Sequence, residues 1–286
     1  MNMGAHERPA IDMARQPGLA ELAVERASSG VAFRTLGRGR PLLLMHGGSG
    51  SWLHWWRNIE TLSAGHRVIA LDLPGLGESD EVPADISVHD YVGKVVTAAL
   101  EATTGERTID IVGFSFGGLI AASVAAQLGD VTRRIVLLAP SGFAPAVGRQ
   151  LGRQRRSSFP PDADGERAYH KQLLLAMMLA NEESVDDDAL AIQRWNMSHA
   201  RFQNSTPVFS SSNRLPELLA RIPAPVMLLY GESDRTTYPS LAERIAICQA
   251  VRPDLIVERI EGAGHWVQFE RPAEVNASIE RFLSGN

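Results

Sequence analysis

Ser115, Asp234 and His265 are the residues of this chain whose types and order suit nucleophilic chemistry. A serine hydroxyl attacks poorly at neutral pH unless a base takes its proton. Ser115 sits in Gly113-Phe114-Ser115-Phe116-Gly117, between the apolar run Ile109 to Val112 and the small-residue run Leu119 to Ala126. Gly-x-Ser-x-Gly arises by chance in about one chain in ten of this length at ordinary glycine and serine usage. The predicted strand before this copy and the predicted helix after it set it apart. In such a turn the serine backbone is strained, and Gly113 and Gly117 omit the Cβ atoms that would collide there. The hydroxyl is lifted off the end of the sheet, and the helix N-terminus places positive partial charge where an oxyanion would form.

The base needs a position that can reach that hydroxyl. His265 follows Gly262-Ala263-Gly264, just past the apolar run Leu255 to Ile260, so it lies on a flexible loop at a strand end. Of the other seven histidines, His6, His54, His66, His89, His170 and His199 lie in less suitable positions. His46 also ends a strand and is expected to hold neighbouring loops through its ring nitrogens. An imidazole base needs an acceptor to fix its tautomer. Asp234, in Tyr230-Gly231-Glu232-Ser233-Asp234, is the preferred acceptor, and Glu232, earlier in the same turn, is the rival carboxylate. For the oxyanion, one expected donor is the backbone N–H of Phe116. Gly48, in the glycine-rich loop after His46, is the expected second donor.

These residues need a scaffold that gathers strand ends. Pro41 to Met45, Arg67 to Leu71, Arg134 to Ala139 and Pro225 to Tyr230 are short apolar runs of the kind buried in parallel sheets. Leu22 to Arg26 and Val31 to Thr35 could form a hairpin around Ser28-Ser29-Gly30. Helices are expected over Trp52 to Leu62, Ser87 to Ala102 with Ser87 as N-cap, Ser240 to Val251 and Ala273 to Leu283. Strand–helix alternation of this kind implies an α/β class with a parallel sheet covered on both faces. From Gly142 to Arg221 the alternation stops. Arg149, Arg153, Arg155 and Arg156 are followed by a linker-like Pro160 to Gly165, then by expected helices over Ala168 to Ala180 and Asp186 to Phe202. The interval is too long for a sheet connection and too apolar for a disordered linker. It is expected to form a helical cap, giving a core of residues 1–142 and 222–286 with a cap of 143–221.

Composition narrows the classes. The chain has 286 residues, 44% hydrophobic and 21% charged, enough for a full core. A formal net charge of −5 weighs against nucleic acid as the main partner. The basic stretch Arg149 to Arg156 lacks interleaved aromatics and is expected to be solvated. Cys248 is the single cysteine, so no intramolecular disulfide can form, and it is expected to be a small buried hydrophobe. The polar residues 1–19 carry no signal-peptide core, and no apolar run reaches the length of a membrane span, which makes a cytoplasmic location the expectation.

With these pieces in place, the sequence resembles the α/β-hydrolase family. The resemblance rests on His46-Gly47-Gly48, Asp72-Leu-Pro-Gly-Leu-Gly-Glu-Ser79, Gly113-Phe-Ser-Phe-Gly117, Gly231-Glu-Ser-Asp234 and Gly264-His265, which occur in the family's order and span most of the chain outside the cap. It implies a mostly parallel eight-stranded sheet with a cap inserted after the sixth strand. It also implies a Ser–His–Asp hydrolase of small molecules that uses no cofactor and no metal. A homodimer is left open.

The tail Gly264-His-Trp-Val-Gln-Phe-Glu270 is similar to that of the meta-cleavage-product hydrolases, which cleave a C–C bond in dienoate diketo acids. That resemblance implies substrate contacts for Trp266 and for the cap pair Arg194-Trp195, with Arg194 binding a substrate carboxylate; the competing reading of Arg194 is a solvated helix charge. Phe114 and the loop His46-Gly-Gly-Ser-Gly-Ser51 depart from that subfamily's Asn and His-Gly-x-Gly-Pro-Gly patterns. Among cap residues, Phe143, Met177, Met178, Trp195 and Phe202 are candidates for an apolar pocket wall, against the alternative of core packing, and Phe114 is a candidate substrate contact. Plain ester or amide hydrolysis stands beside C–C hydrolysis. A ligand receptor on the same fold is the non-enzymatic alternative, which the presence of all three triad residues disfavours.

Overall fold

Apolar runs buried from end to end make the centre of the sheet. The structure, a computed structural model, describes residues 17–19, 22–143, 151–202 and 214–285. In β3 (Pro41–Met45), β5 (Ile109–Phe114) and β7 (Val226–Gly231) every residue is buried, and in β4 (Arg67–Leu71) and β6 (Thr132–Leu138) only basic residues are part-exposed. Strands covered on both faces have no polar side to show. The edges differ. β8 (Ile256–Ile260) is largely open and carries Glu258 and Arg259. At the opposite edge β1 (Glu25–Arg26) pairs antiparallel with β2 (Ala32–Leu36), in the expected hairpin. The strand order is β1-β2-β4-β3-β5-β6-β7-β8, with β2 antiparallel to β4 and all later pairs parallel.

Strand order reverses after β4, so right-handed crossovers send helices to opposite faces. α1 (Ile59–Ser63) and α8 (Pro272–Ser284) pack together on one side. On the other, α2 (Val88–Ala102), α3 (Phe116–Leu128), α6 (Arg214–Leu219) and α7 (Leu241–Val251) pack in a row. Side chains fix the starts: Ser87 accepts from the N–H of Asp90, and Ser240 from that of Glu243. Cys248 is wholly buried on α7, and burial pushes its thiol up to about 12.

Between β6 and β7 lie α4 (Ala163–Leu173) and α5 (Asp187–Ser198), with no strand among the described residues of that interval. Three expectations change here. The run Pro160 to Gly165 is no linker: Asp162 caps α4 by accepting from the N–H of Gly165. The single helix expected over Ala168 to Ala180 stops at Leu173 and widens into a π-turn, Leu174–Met178. The third concerns α6, which falls within the expected cap but packs on α3 and α7, so its packing belongs to the core. Similarly, the aromatic helix expected over Trp52 to Leu62 is a 3-10 turn, Trp52–Trp55, followed by α1. Residues 1–16, Arg149 and residues 203–213 lie outside the described residues. No described helix is long and apolar enough to cross a membrane.

Candidate active site

Four strand ends converge at the carboxyl edge of the sheet, where ligands bind in open α/β folds. β5 ends directly at Ser115, whose φ of 52° and ψ of −116° are strained for a residue with a side chain. The flanking glycines make that turn possible. A Cβ on Gly113 would lie 2.5 Å from Ala121 Cβ, and one on Gly117 would lie 2.2 Å from the carbonyl oxygen of His46. Phe116 opens α3, and Ser115 is half-buried.

His265 and Asp234 come from the loops after β8 and β7. The Ser115 hydroxyl is 2.9 Å from His265 Nε2, and His265 Nδ1 is 2.8 Å from Asp234 Oδ2. Thr236 completes the cluster: its N–H donates to Asp234 Oδ1 at 2.7 Å, and its hydroxyl lies 3.0 Å from His265 Nδ1. Burial alone would raise the Asp234 carboxyl. The His265 charge and hydrogen bond, with those from Thr236, outweigh it and hold Asp234 below the ordinary carboxylate range. Glu232, the rival, is exposed and faces Arg259 at 3.8 Å.

The glycine-rich loop lies over the serine. A Cβ on Gly47 would meet the Phe114 ring at 2.9 Å and Ser115 Cβ at 3.3 Å. The Gly47 N–H is committed to His54 Nδ1 at 3.1 Å, which leaves Gly48 as the loop's next donor. His46 holds loops, as expected: its Nδ1 donates to the Gly47 carbonyl at 2.7 Å, and its Nε2 accepts from the N–H of Leu73 at 2.8 Å. Burial pushes its imidazole down to about 4, so it stays neutral at pH 7.

The expected substrate contacts fare differently. Arg194 points outward from α5, because the buried face of that helix is Ala189, Leu190, Ile192, Trp195 and Asn196. It pairs with Glu166 of α4 at 3.0 Å, with 59% of its side chain exposed, the placement of a solvated helix charge. Trp195 stacks on His199 at 4.0 Å and is a core residue. Trp266 is wholly buried, stacks on Phe269 at 4.2 Å and donates Nε1–H to the His54 carbonyl at 2.9 Å. Phe114 is also wholly buried, between the rings of His54 and His265. Phe143 is part-buried under the Arg244 guanidinium. Phe202 packs on Tyr91, and Met178 is part-buried against the core. Met177 is part-buried with its sulfur 3.6 Å from Arg153. Core packing accounts for Phe114, Trp195, Phe202 and Trp266.

Thr236, Glu270 and His54 escaped the sequence reading. Glu270 is buried and accepts from the N–H groups of Gly264 (2.6 Å), Ala180 (3.0 Å) and Asn181 (3.1 Å), tying the end of the π-turn to the His265 loop. Its place in the quoted tail was visible, but its donors were not. His54 was passed over because, apart from nearby Gly47, its partners Phe114 and Trp266 lie far along the chain.

A serine on a strained strand–helix turn, with an imidazole and a buried carboxylate delivered by later strand ends, fits a hydrolase of the α/β class. The chain belongs to the alpha/beta hydrolase family, whose family model matches residues 42–278. The 2-hydroxy-6-oxo-6-phenylhexa-2,4-dienoate hydrolase of Burkholderia cepacia is 26% identical over 260 residues, covering 87% of this chain and 89% of that protein. Among solved structures, a carboxylesterase of Bacillus subtilis superposes with a TM-score of 0.72 at 20% identity, over 96% of this chain and 95% of its own. A bacterial membrane phospholipase A superposes with a TM-score of 0.72 at 25% identity, over 92% and 86%.

Proposed function

We propose that the chain is a serine hydrolase that cleaves small, neutral carboxylic esters through an acyl-enzyme on Ser115. The observation that carries this reading is the pair of short contacts, Ser115 Oγ to His265 Nε2 at 2.9 Å and His265 Nδ1 to Asp234 at 2.8 Å. Ser115 Oγ attacks the carbonyl carbon while His265 Nε2 takes the hydroxyl proton. Asp234 holds the His265 proton on Nδ1 and offsets the imidazolium charge. The carbonyl oxygen, now anionic, accepts from the N–H groups of Phe116 and Gly48. His265 then gives its proton to the departing alkoxide as the C–O bond breaks. Water attacks the acyl-enzyme, loses a proton to His265 and releases the acid, and Ser115 recovers its proton.

Hydrolysis of a C–C bond in a dienoate diketo acid is the second reading. It is favoured by the likeness to the Burkholderia cepacia hydrolase. The outward-facing Arg194 leaves it without the expected carboxylate partner. One experiment separates the two: initial rates on matched aryl esters and on a dienoate diketo acid, with Ser115→Ala as the control. An organophosphonate should label the protein stoichiometrically at Ser115, and Ser115→Ala should lose labelling and several orders of magnitude in turnover. Full turnover in Ser115→Ala would end the mechanism, and faster dienoate than ester cleavage would move the substrate to the second reading.

A further inference from the structure

Behind the glycine-rich loop lies a second imidazole that the reaction does not consume. His54 is 3% exposed, and its ring packs edge-on against Phe114 at 5.5 Å and Trp266 at 5.0 Å, with His46 at 6.1 Å. Its Nδ1 accepts the Gly47 N–H at 3.1 Å, while its backbone carbonyl accepts from Trp266 Nε1 at 2.9 Å. The loop wraps the ring closely enough that a Cβ on Gly50 would sit 2.2 Å from His54 Cε1. One residue thus touches the loop over Ser115, the residue before Ser115 and the residue after His265.

We propose that His54 is a positioning residue: it holds the Gly47 N–H while His46 Nδ1 holds the Gly47 carbonyl, and the two contacts together aim the Gly48 N–H toward the carbonyl oxygen of the substrate. The inference rests on the serine-hydrolase reading above. Without an acceptor at Nδ1, the Gly47 amide would be buried and unpaired, and the loop would rotate to satisfy it. Burial holds the His54 imidazole well below its ordinary range, with His46 and His265 adding repulsion, so the Nδ1 lone pair remains available. An imidazolium would set N–H against N–H.

The test compares two polar substitutions. In His54→Asn the amide oxygen sits two bonds from Cβ, the same depth as Nδ1, and can accept from Gly47. In His54→Gln it sits one bond deeper and cannot. Deleting one oxyanion donor costs about 10²- to 10³-fold in kcat, so misdirecting it in His54→Gln should cost about 30- to 300-fold, with KM moved less than about threefold. Affinity for an aryl boronic acid, whose adduct with the serine places an oxygen in the hole, should fall by the same factor. His54→Asn should stay within about threefold of the parent chain in all three measurements. Equal kcat for both variants, or a loss confined to KM, would overturn the positioning role. Gly47 amide exchange, followed by NMR, decides independently of turnover: slow in the parent and His54→Asn but fast in His54→Gln supports the contact, and equal rates refute it. If the parent shows no Ser115-dependent turnover, the hydrolase reading falls while the exchange rates still decide whether His54 holds the loop.

Discussion

Asp234→Asn tests the acid arm of the proposed mechanism with little change of shape. Two effects add. The first is loss of charge. Two unit charges about 4 Å apart attract by about 4 kcal/mol at an effective dielectric of 20, which is about a thousandfold in rate if the imidazolium forms in the transition state. The second follows from Thr236, whose N–H donates to Asp234 Oδ1 at 2.7 Å. An asparagine must leave its oxygen at that N–H, which turns its NH2 toward His265 Nδ1. The imidazole must then carry its proton on Nε2, where it faces the Ser115 hydroxyl and cannot accept from it. An enforced wrong tautomer has cost about 10⁴-fold in kcat in a serine protease. Asp234→Asn should therefore lower kcat by about 10³- to 10⁴-fold with KM nearly unchanged, and ¹⁵N NMR should find the His265 proton moved to Nε2. Glu232→Gln, on the exposed rival, should stay within about twofold, as surface substitutions do. Wild-type kcat in Asp234→Asn, or an equal loss in Glu232→Gln, would refute the assignment.

Other consequences are more local. Gly117→Ala would set a Cβ 2.2 Å from the His46 carbonyl oxygen and 2.5 Å from that of Met45, both backbone atoms. It should lower stability by about 1–3 kcal/mol or more and kcat together, and an unchanged melting temperature with full activity would contradict the turn geometry. Arg194→Ala breaks only an exposed pair with Glu166, worth about 0.2–1 kcal/mol, so kcat/KM should change less than about fivefold on anionic and neutral substrates alike; a large loss confined to anions would restore the carboxylate anchor. His46 is held down to about 4 when folded, against 6.5 in an unfolded chain. Between these values the unfolded state binds more protons, so the stability is present above pH 6.5 and lost as pH falls to 4. His46→Asn lacks this titration, and the parent should lose about 3 kcal/mol relative to it between pH 7 and pH 4 by chemical denaturation; parallel pH curves would refute the neutral, buried assignment.

The parts of the site legible in the sequence are those enforced by local sterics. The Ser115 turn needs glycine at 113 because of its own helix, and glycine at 117 because the end of β3 presses on it, a clash any strand-to-helix turn of this kind meets beside its neighbouring strand; the apolar run before it had to be a buried strand. Asp234 and His265 were found because parallel-sheet sites gather just past strand ends, and both follow strands closely. What stayed hidden depends on partners far along the chain. Arg194 could be placed on a helix, but its outward direction follows from the face that α5 buries. The π-turn at Leu174–Met178 is built of good helix formers and has no local breaker. It coincides with docking: the Met178 carbonyl accepts from the N–H of Trp266 at 2.7 Å, and Ala180 and Asn181 donate to Glu270. His54 likewise takes its meaning from Gly47 and Trp266, one of them 212 residues away.

Strand order explains why this site requires a long reach from one loop and a short one from another. β5 and β8 are separated by β6 and β7, so at about 4.8 Å per strand their ends lie about 14 Å apart. Ser115 follows Phe114, the last residue of β5, without a gap, and Asp234 is three residues past the end of β7 at Gly231. Most of the distance must be crossed by the five residues from the end of β8 at Ile260 to His265. That segment lies directly on the end of β7: Ser233 donates to the Ala263 carbonyl at 2.9 Å, and a Cβ on Gly231 would stand 2.2 Å from the Gly264 carbonyl oxygen. Glycine at 231 therefore sets how low the His265 loop can sit. Glu270 fixes the loop from behind through the Gly264 N–H. The His265 imidazole is thus held by a strand end below it and a buried carboxylate behind it. Its ring is left to meet Ser115 on one nitrogen and Asp234 on the other.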